Sequence, residues 1–336
     1  MTENRQILLT ARPDGLPKIT DFKLVTSPVP EPGEGEMLVR TLYLSLDPYM
    51  RGRMRDERSY ASPVALDEVM VGGVVGEVAA SRHPDYSVGD MVEGRTGWQD
   101  FGLSDGSGMR KIDPTLAPVS TALGILGMPG LTAYFGLREI GRVKSGDTVL
   151  VTAASGAVGA VVGQIAKIMG CRVIGIAGGP RKCAYILSEL GFDAAIDYKS
   201  GADLDTAMAT ACPDGVDVYF DNVGGAISDV VLDHLARGAR VAICGTISQT
   251  SLSEPELGPR VQGKLMTAWA SMQAFNVFQF TDRHDEGRAQ LARWLADGKL
   301  KYREDVVDGL ENAPAAFIGM LRGENFGKLI VKVGQV

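Results

Sequence analysis

The chain has 336 residues, 45% of them hydrophobic, and its 34 basic against 41 acidic side chains leave a net charge of −7. That balance argues against a general nucleic-acid or anionic-membrane binder, and no apolar run reaches the roughly 18 residues of a membrane-spanning helix. The opening MTENRQILLTARPDG lacks the apolar core of a secretory signal, so a soluble, cytoplasmic protein is expected. Cys171, Cys183, Cys212 and Cys244 show no CxxC spacing, and the histidines are His83, His234 and His284. Neither a structural zinc cluster nor a catalytic zinc with soft ligands is encoded, so no metal is expected.

The length suggests two domains. Up to about residue 125 the pattern is that of short strands: Gly33 to Ser45 alternates with Leu38, Leu42 and Leu44 on one face, Val69 to Ala79 is β-branched, and Tyr86 to Trp98 is punctuated by glycine. Such strands predict a small, largely antiparallel β domain. Asp47-Pro48 marks a turn just before Tyr49.

From about residue 126 to 300 strands alternate with helices, which predicts a parallel, doubly wound α/β sheet. Leu131 to Leu137 reads as the helix entering this region. Thr148 to Thr152 reads as a buried strand and Ala157 to Met169 as a helix. Between them Ala154, Gly156 and Gly159 follow A-x-G-x-x-G, a variant of the dinucleotide fingerprint whose small residues let backbone N–H groups approach a pyrophosphate. A plain strand–helix turn is the alternative. The next strand, Cys171 to Ala177, is followed by Gly178, Gly179, Pro180, Arg181 and Lys182, with no acid from Gly156 until Glu189. A carboxylate there would hold the ribose hydroxyls of NAD, whereas Arg181 and Lys182 suit a 2′-phosphate. This predicts NADP(H); two basic residues opening a solvated helix would look the same.

Lys182 to Leu190 and Val230 to Ala236 read as helices, and Ala194 to Asp197, Gly215 to Phe220 and Ala239 to Cys244 as strands. The turns Asp221-Asn222-Val223-Gly224-Gly225 and Gly245-Thr246-Ile247-Ser248 fall at strand carboxyl ends, where ligands bind in such sheets. Ser271 to Phe280 reads as a further, aromatic strand and Arg288 to Ala296 as a helix stopped by Gly298. Asn312 is expected to cap a helix bearing Phe317, Met320 and Leu321, and residues 301–336 to end in a strand, Lys328 to Val333, that returns to the first domain.

The stretches Leu42 to Met54 (LYLSLDPYMRGRM), Gly127 to Gly136 (GMPGLTAYFG), Ala153 to Lys167, Tyr219 to Gly225 (YFDNVGG) and Pro314 to Lys328 together resemble the zinc-independent medium-chain dehydrogenase/reductases. The branch is that of prostaglandin reductases, leukotriene hydroxydehydrogenases and alkenal/one reductases, with bacterial curcumin-reductase-like and plant double-bond reductases. The resemblance implies a Rossmann sheet inserted into a GroES-like β domain, NADPH as cofactor, a homodimer, and reduction of the C=C bond of α,β-unsaturated ketones or aldehydes. Lys182 and Tyr198 match holders of the 2′-phosphate, and Asn222 and Asn325 match other cofactor contacts. The expected cofactor set also contains Ala154, Gly156, Ala157, Val158, Gly159, Gly178, Cys244, Gly245, Thr246, Ile247 and Phe278. Tyr49 matches an active-site tyrosine, with Trp98, Met128, Thr250 and Phe278 as candidate pocket residues beside it. Thr250 stands where prostaglandin-reducing relatives carry a tyrosine. Alternatives on the same scaffold are a quinone or enoyl-thioester reductase, or a non-catalytic NADPH-binding protein.

Overall fold

The computed structural model describes residues 3–57 and 59–334. Contacts divide them into two units. The first holds the described residues up to Gly124, Glu304–Asn325 and those from Leu329 onward, and the second holds Ile125–Arg303 with Phe326–Lys328.

The first unit opens with β1 (Glu3–Leu9), β2 (Phe22–Pro28) and β3 (Met37–Ser45), then α1 (Tyr49–Arg53), β4 (Glu68–Val69), β5 (Val74–Ser81), β6 (Met91–Gly94), β7 (Phe101–Ser104) and β8 (Arg110–Lys111). Its pairings are antiparallel, with β1 between β2 and β4, and β3 beside both β5 and β7. The alternation expected along β3 is not kept, because Met37, Leu38 and Val39 are all buried. Register shifts at Leu38/Val39 and Thr41/Tyr43 twist the strand so that both faces are covered. The run Val69 to Ala79 is two strands, β4 and β5, separated at Gly72-Gly73. A side chain on Gly72 would lie 2.6 Å from Leu44, so the chain passes there only as bare backbone.

In the second unit α2 (Met128–Phe135) runs on as a π turn to Ile140. There follow β9 (Thr148–Thr152), α3 (Gly159–Ile168), β10 (Arg172–Ala177), α4 (Pro180–Ser188), β11 (Ala194–Asp197), α5 (Leu204–Ala211), β12 (Val216–Asp221), α6 (Gly225–Val231), β13 (Leu235–Ile243), α7 (Gln262–Ala268), β14 (Ser271–Ala274) and α8 (His284–Ala296). The sheet order is β11-β10-β9-β12-β13-β14, all parallel. The reversal of winding falls between β9 and β12, where such sheets open a crevice at their carboxyl ends. One apolar layer, with Val149, Val151, Val162, Ile165 and Phe220, lies on one side of this sheet, and another, with Leu150, Ile174, Tyr219 and Val241, on the other.

Two expectations fail here for local reasons. The helix foreseen over Val230 to Ala236 starts at Gly225, since Gly224 and Gly225 take the positive φ values that turn the chain directly out of β12, and by Leu235 it is already strand. The strand foreseen to Phe280 stops at Ala274, because Asn276 accepts the Phe278 N–H at 3.0 Å and starts a 3-10 turn.

The chain returns to the first unit through β15 (Glu304–Asp308), α9 (Ala313–Leu321) and β16 (Lys328–Lys332), which pairs with β3 from Ile330↔Ser45 to Lys332↔Tyr43. Asn312 does not cap α9 with its side chain: its amide donates to the Asp308 carbonyl at 2.7 Å instead. Phe317 and Met320 are buried, Phe317 packing edge-on against Trp98 at 5.7 Å. Burial of a side chain of that size contributes about 1.5–3 kcal/mol.

Candidate functional site

The turn from β9 to α3 is built for close approach. Ala153 takes φ 51°, and the Gly156 N–H donates to its carbonyl at 2.9 Å. A Cβ on Gly159 would lie 2.4 Å from that carbonyl oxygen, so the helix enters this close only as glycine. Val158, before α3, supplies no side-chain cap, and the first turn carries no acid. The N–H groups of Ala160, Val161 and Val162 are taken by the Gly156 and Val158 carbonyls, so this helix N-terminus offers an anion the positive end of the helix dipole with no side chain or acid in the way. Ala154 is buried, while Gly156, Ala157 and Val158 keep some exposure. Gly327, at φ 88°, bridges Gly156 in parallel, and Phe326 beside it packs on Tyr185 of α4 with the Arg303 guanidinium 4.2 Å from its ring centroid. Asn325 lies two residues before Gly327 in the chain.

A second corner forms at the end of β10. A Cβ on Gly178 would meet the Tyr198 ring at 2.9 Å, so glycine is what lets the half-exposed tyrosine lie against this turn. Lys182 stands in the first turn of α4, at intermediate exposure. An acid absent from this stretch of sequence is nevertheless present in space: Asp197, at the end of β11, accepts the N–H groups of Gly179 at 2.7 Å and Lys199 at 2.9 Å. One of its oxygens is thus committed to backbone. The signal for it, an acid closing a short strand, was in the sequence but belongs to the next strand.

The third group of residues converges on Asp221. Its Oδ1 accepts from Thr152 Oγ1 at 3.1 Å, Val223 N–H at 2.9 Å and Gly224 N–H at 3.0 Å, and its Oδ2 from Ser228 Oγ at 2.7 Å. Its carbonyl accepts the N–H groups of Cys244 and Gly245 at 2.8 and 3.1 Å. Asn222 is clamped to β9, its amide donating to the Thr152 carbonyl at 2.7 Å and its N–H to Thr152 Oγ1 at 2.9 Å. Ile247 N–H reaches the Asn222 carbonyl at 3.4 Å, and Thr246 packs over Gly224. Burial, and then the charge of Asp221, push the Cys244 thiol up to about 12, so it is not a nucleophile. The sequence placed Asp221 in a turn at a strand carboxyl end, where ligands bind, without marking it as the residue that gathers these contacts.

The pocket candidates belong to both units. In the second unit Met128 opens α2, Thr250 Oγ1 donates to the Ile247 carbonyl at 3.0 Å, and Phe278 is 45% exposed. In the first unit Tyr49 opens α1, where the Asp47 carbonyl accepts the Met50 N–H at 3.1 Å and Ser45 Oγ donates to the Asp47 carboxylate. Burial above all, then the Asp47 charge, raise the Tyr49 hydroxyl above the ordinary tyrosine range and keep it a donor. Arg51, fully buried, anchors α1 by donating to the Gly15 carbonyl through Nε at 3.1 Å and Nη2 at 2.6 Å, and to Pro13 at 3.2 Å. Burial lowers its guanidinium to about 10. Trp98 is not a pocket residue: it is 0% exposed, stacked on Phe22 at 5.7 Å, within the core of the first unit.

Among the described residues no group of three or more His, Cys, Asp or Glu is placed to hold a metal, and no helix is long and apolar enough to cross a membrane. Residues 5–112 match the family described as the N-terminal domain of oxidoreductase, and residues 157–278 the family described as zinc-binding dehydrogenase. The chain is 46% identical over 335 residues to an NADPH-dependent curcumin reductase of Escherichia coli K12, covering 98% of this chain and 97% of that one. It is 42% identical over 333 residues to prostaglandin reductase 1 of Rattus norvegicus, covering 95% and 96%. A crystal structure of CurA from Vibrio vulnificus in complex with NADPH is similar at 50% identity and a TM-score of 0.94, over 99% of this chain and 100% of that one.

Proposed function

We propose that this chain, which belongs to the zinc-independent medium-chain dehydrogenase/reductases in their prostaglandin and alkenal reductase branch, reduces the C=C bond of α,β-unsaturated ketones and aldehydes. It is an NADP-dependent oxidoreductase acting on carbon–carbon double bonds. The observation that carries the reading is the uncapped, glycine-lined turn between β9 and α3, facing the crevice beside the Gly178–Tyr198 corner. These residues fit a dinucleotide phosphate: the N-terminus of α3 would take the pyrophosphate, and Lys182 with Tyr198 the 2′-phosphate. Asn222, Cys244 to Ile247, Phe278 and Asn325 complete the proposed cofactor set.

NADPH, when bound, supplies a hydride for the β-carbon of the enone. Tyr49 holds its proton and donates a hydrogen bond to the enone oxygen, where negative charge develops. Arg51 and the Asp47 turn keep α1, and so Tyr49, in place. The α-carbon takes its proton from solvent. Met128, Thr250 and Phe278 remain pocket candidates, and Thr250 gives a shorter hydroxyl than the tyrosine of prostaglandin-reducing relatives.

The test is NADPH oxidation on a panel of enals, enones, quinones and an enoyl-CoA. Enones and enals are expected to be consumed fastest. Turnover confined to quinones or to the thioester, or tight NADPH binding with no turnover, would overturn the reading.

A further inference from the structure

Asp221 is a buried carboxylate, 3% exposed, with no cation within ion-pair distance among the described residues. Its two oxygens accept hydrogen bonds from two hydroxyls and two backbone N–H groups, which hold the negative charge in place without neutralising it. The same residue ties the ends of β9, β12 and β13 through Thr152, Val223, Gly224, Cys244 and Gly245. Asparagine has a single acceptor oxygen and would turn its NH2 toward Ser228, so the four donors by themselves already favour a carboxylate. A fixed, cation-free charge at this depth has an electrostatic consequence as well.

The sheet topology says which half of a dinucleotide that charge faces. In a sheet of this order the adenosine half of a dinucleotide would lie on the β10 side of the switch point, where Gly178 and Lys182 stand, and the nicotinamide half would lie on the side of β12 and β13. Asp221 closes β12, and its carbonyl holds the residues that follow β13. The reduction moves one proton and two electrons, as hydride, from the nicotinamide C4 to the substrate β-carbon. NADPH is oxidised to NADP+, the enone becomes an enolate, and a solvent proton gives the saturated ketone. A nicotinamide bound in that way would gain one positive charge on the Asp221 side of the crevice. Burial, and after it the Asp221 charge, raise the neighbouring Cys244 thiol and Tyr219 hydroxyl.

We infer that Asp221 is a positioning residue whose fixed negative charge also favours the oxidised over the reduced nicotinamide and so promotes hydride departure. The inference rests on the NADPH-dependent reading above. Its measure is the ratio of dissociation constants for NADP+ and NADPH, determined by titration in wild type and in Asp221→Asn. The ratio should rise roughly 10-fold, the size expected of one charge acting across on the order of 10 Å at an effective dielectric constant near 20. Asp221→Ser, small and uncharged, serves the same purpose if the asparagine variant does not fold. Ser228→Ala removes one hydrogen bond but keeps the charge, so both affinities should move together and the ratio should stay at its wild-type value. If the uncharged variants weaken NADP+ and NADPH by the same factor, Asp221 only positions backbone and the inference fails. If wild type binds neither nucleotide, it is the NADPH-dependent reading that fails instead.

Discussion

Gly178 and Tyr198 are in mutual contact at a point where any Cβ would come within 2.9 Å of the tyrosine ring. The pair makes the corner in which Lys182 is proposed to meet the 2′-phosphate, so two substitutions probe it from different sides. Lys182→Ala removes a charge-assisted contact and should weaken NADPH roughly 10- to 100-fold while leaving NADH unchanged. Gly178→Ala keeps the charge but displaces Tyr198, and should weaken NADPH by a smaller factor. Titration of both nucleotides decides, and a parallel loss of NADH affinity in Lys182→Ala would place the lysine elsewhere.

Tyr49→Phe should slow hydride transfer to enones about 10- to 1,000-fold with little change in NADPH affinity, because the lost hydrogen bond strengthens only as charge appears on the substrate oxygen. Stopped-flow measurement isolates that step from product release. A wild-type rate would make Tyr49 a packing residue.

The same hydroxyl sets an expectation for pH. Its donor form exists below its pKa, and burial with Asp47 shifts that pKa upward. Activity lost through Tyr49 ionisation should therefore appear only above the usual tyrosine value of about 10. A descending limb near pH 8 in the rate of hydride transfer would show that another group donates the hydrogen bond to the enone oxygen.

Exhaustive chelation should leave turnover intact. The prediction rests on the scattered histidines and cysteines and on the lack, among the described residues, of a metal-holding group. Stoichiometric zinc in active protein, removable with loss of turnover, is the contrary outcome.

We also propose a homodimer formed along β14. This strand is the last in its sheet order, exposed Met266 and Trp269 precede it in the chain, and the Arg237 guanidinium lies 3.4 Å from the Trp269 ring centroid. An open parallel edge of this kind is usually covered. Light scattering should give twice the 35.7 kDa of the chain, and Trp269→Asp should shift the population toward monomer. A monomer at micromolar concentration in wild type would end the proposal.

Local sequence was enough for much of this molecule. Thr148–Thr152 and Ala194–Asp197 are strands with the bounds their β-branched and apolar runs predict, and α3 keeps Val161, Val162 and Ile165 inside, as its period requires. The glycines at 156 and 159 suited a close backbone approach and a plain strand–helix turn alike, and it is the Ala153 carbonyl oxygen, 2.4 Å from a Cβ on Gly159, that requires glycine there. What local pattern could not decide was every feature that depends on a distant neighbour. Trp98 is core rather than pocket because Phe22 and Phe317 arrive at its ring from opposite ends of the sequence. Asp197 reaches the Gly179 turn from another strand, and Arg51 is buried because the Pro13–Gly15 carbonyls close over it. Asp221 gathers three strand ends that are far apart in the chain, and it can do so only because the sheet orders β9, β12 and β13 side by side. Periodicity records which face of an element is apolar; hydrogen bonds between loops are set by strand order, and that order exists only in the folded chain.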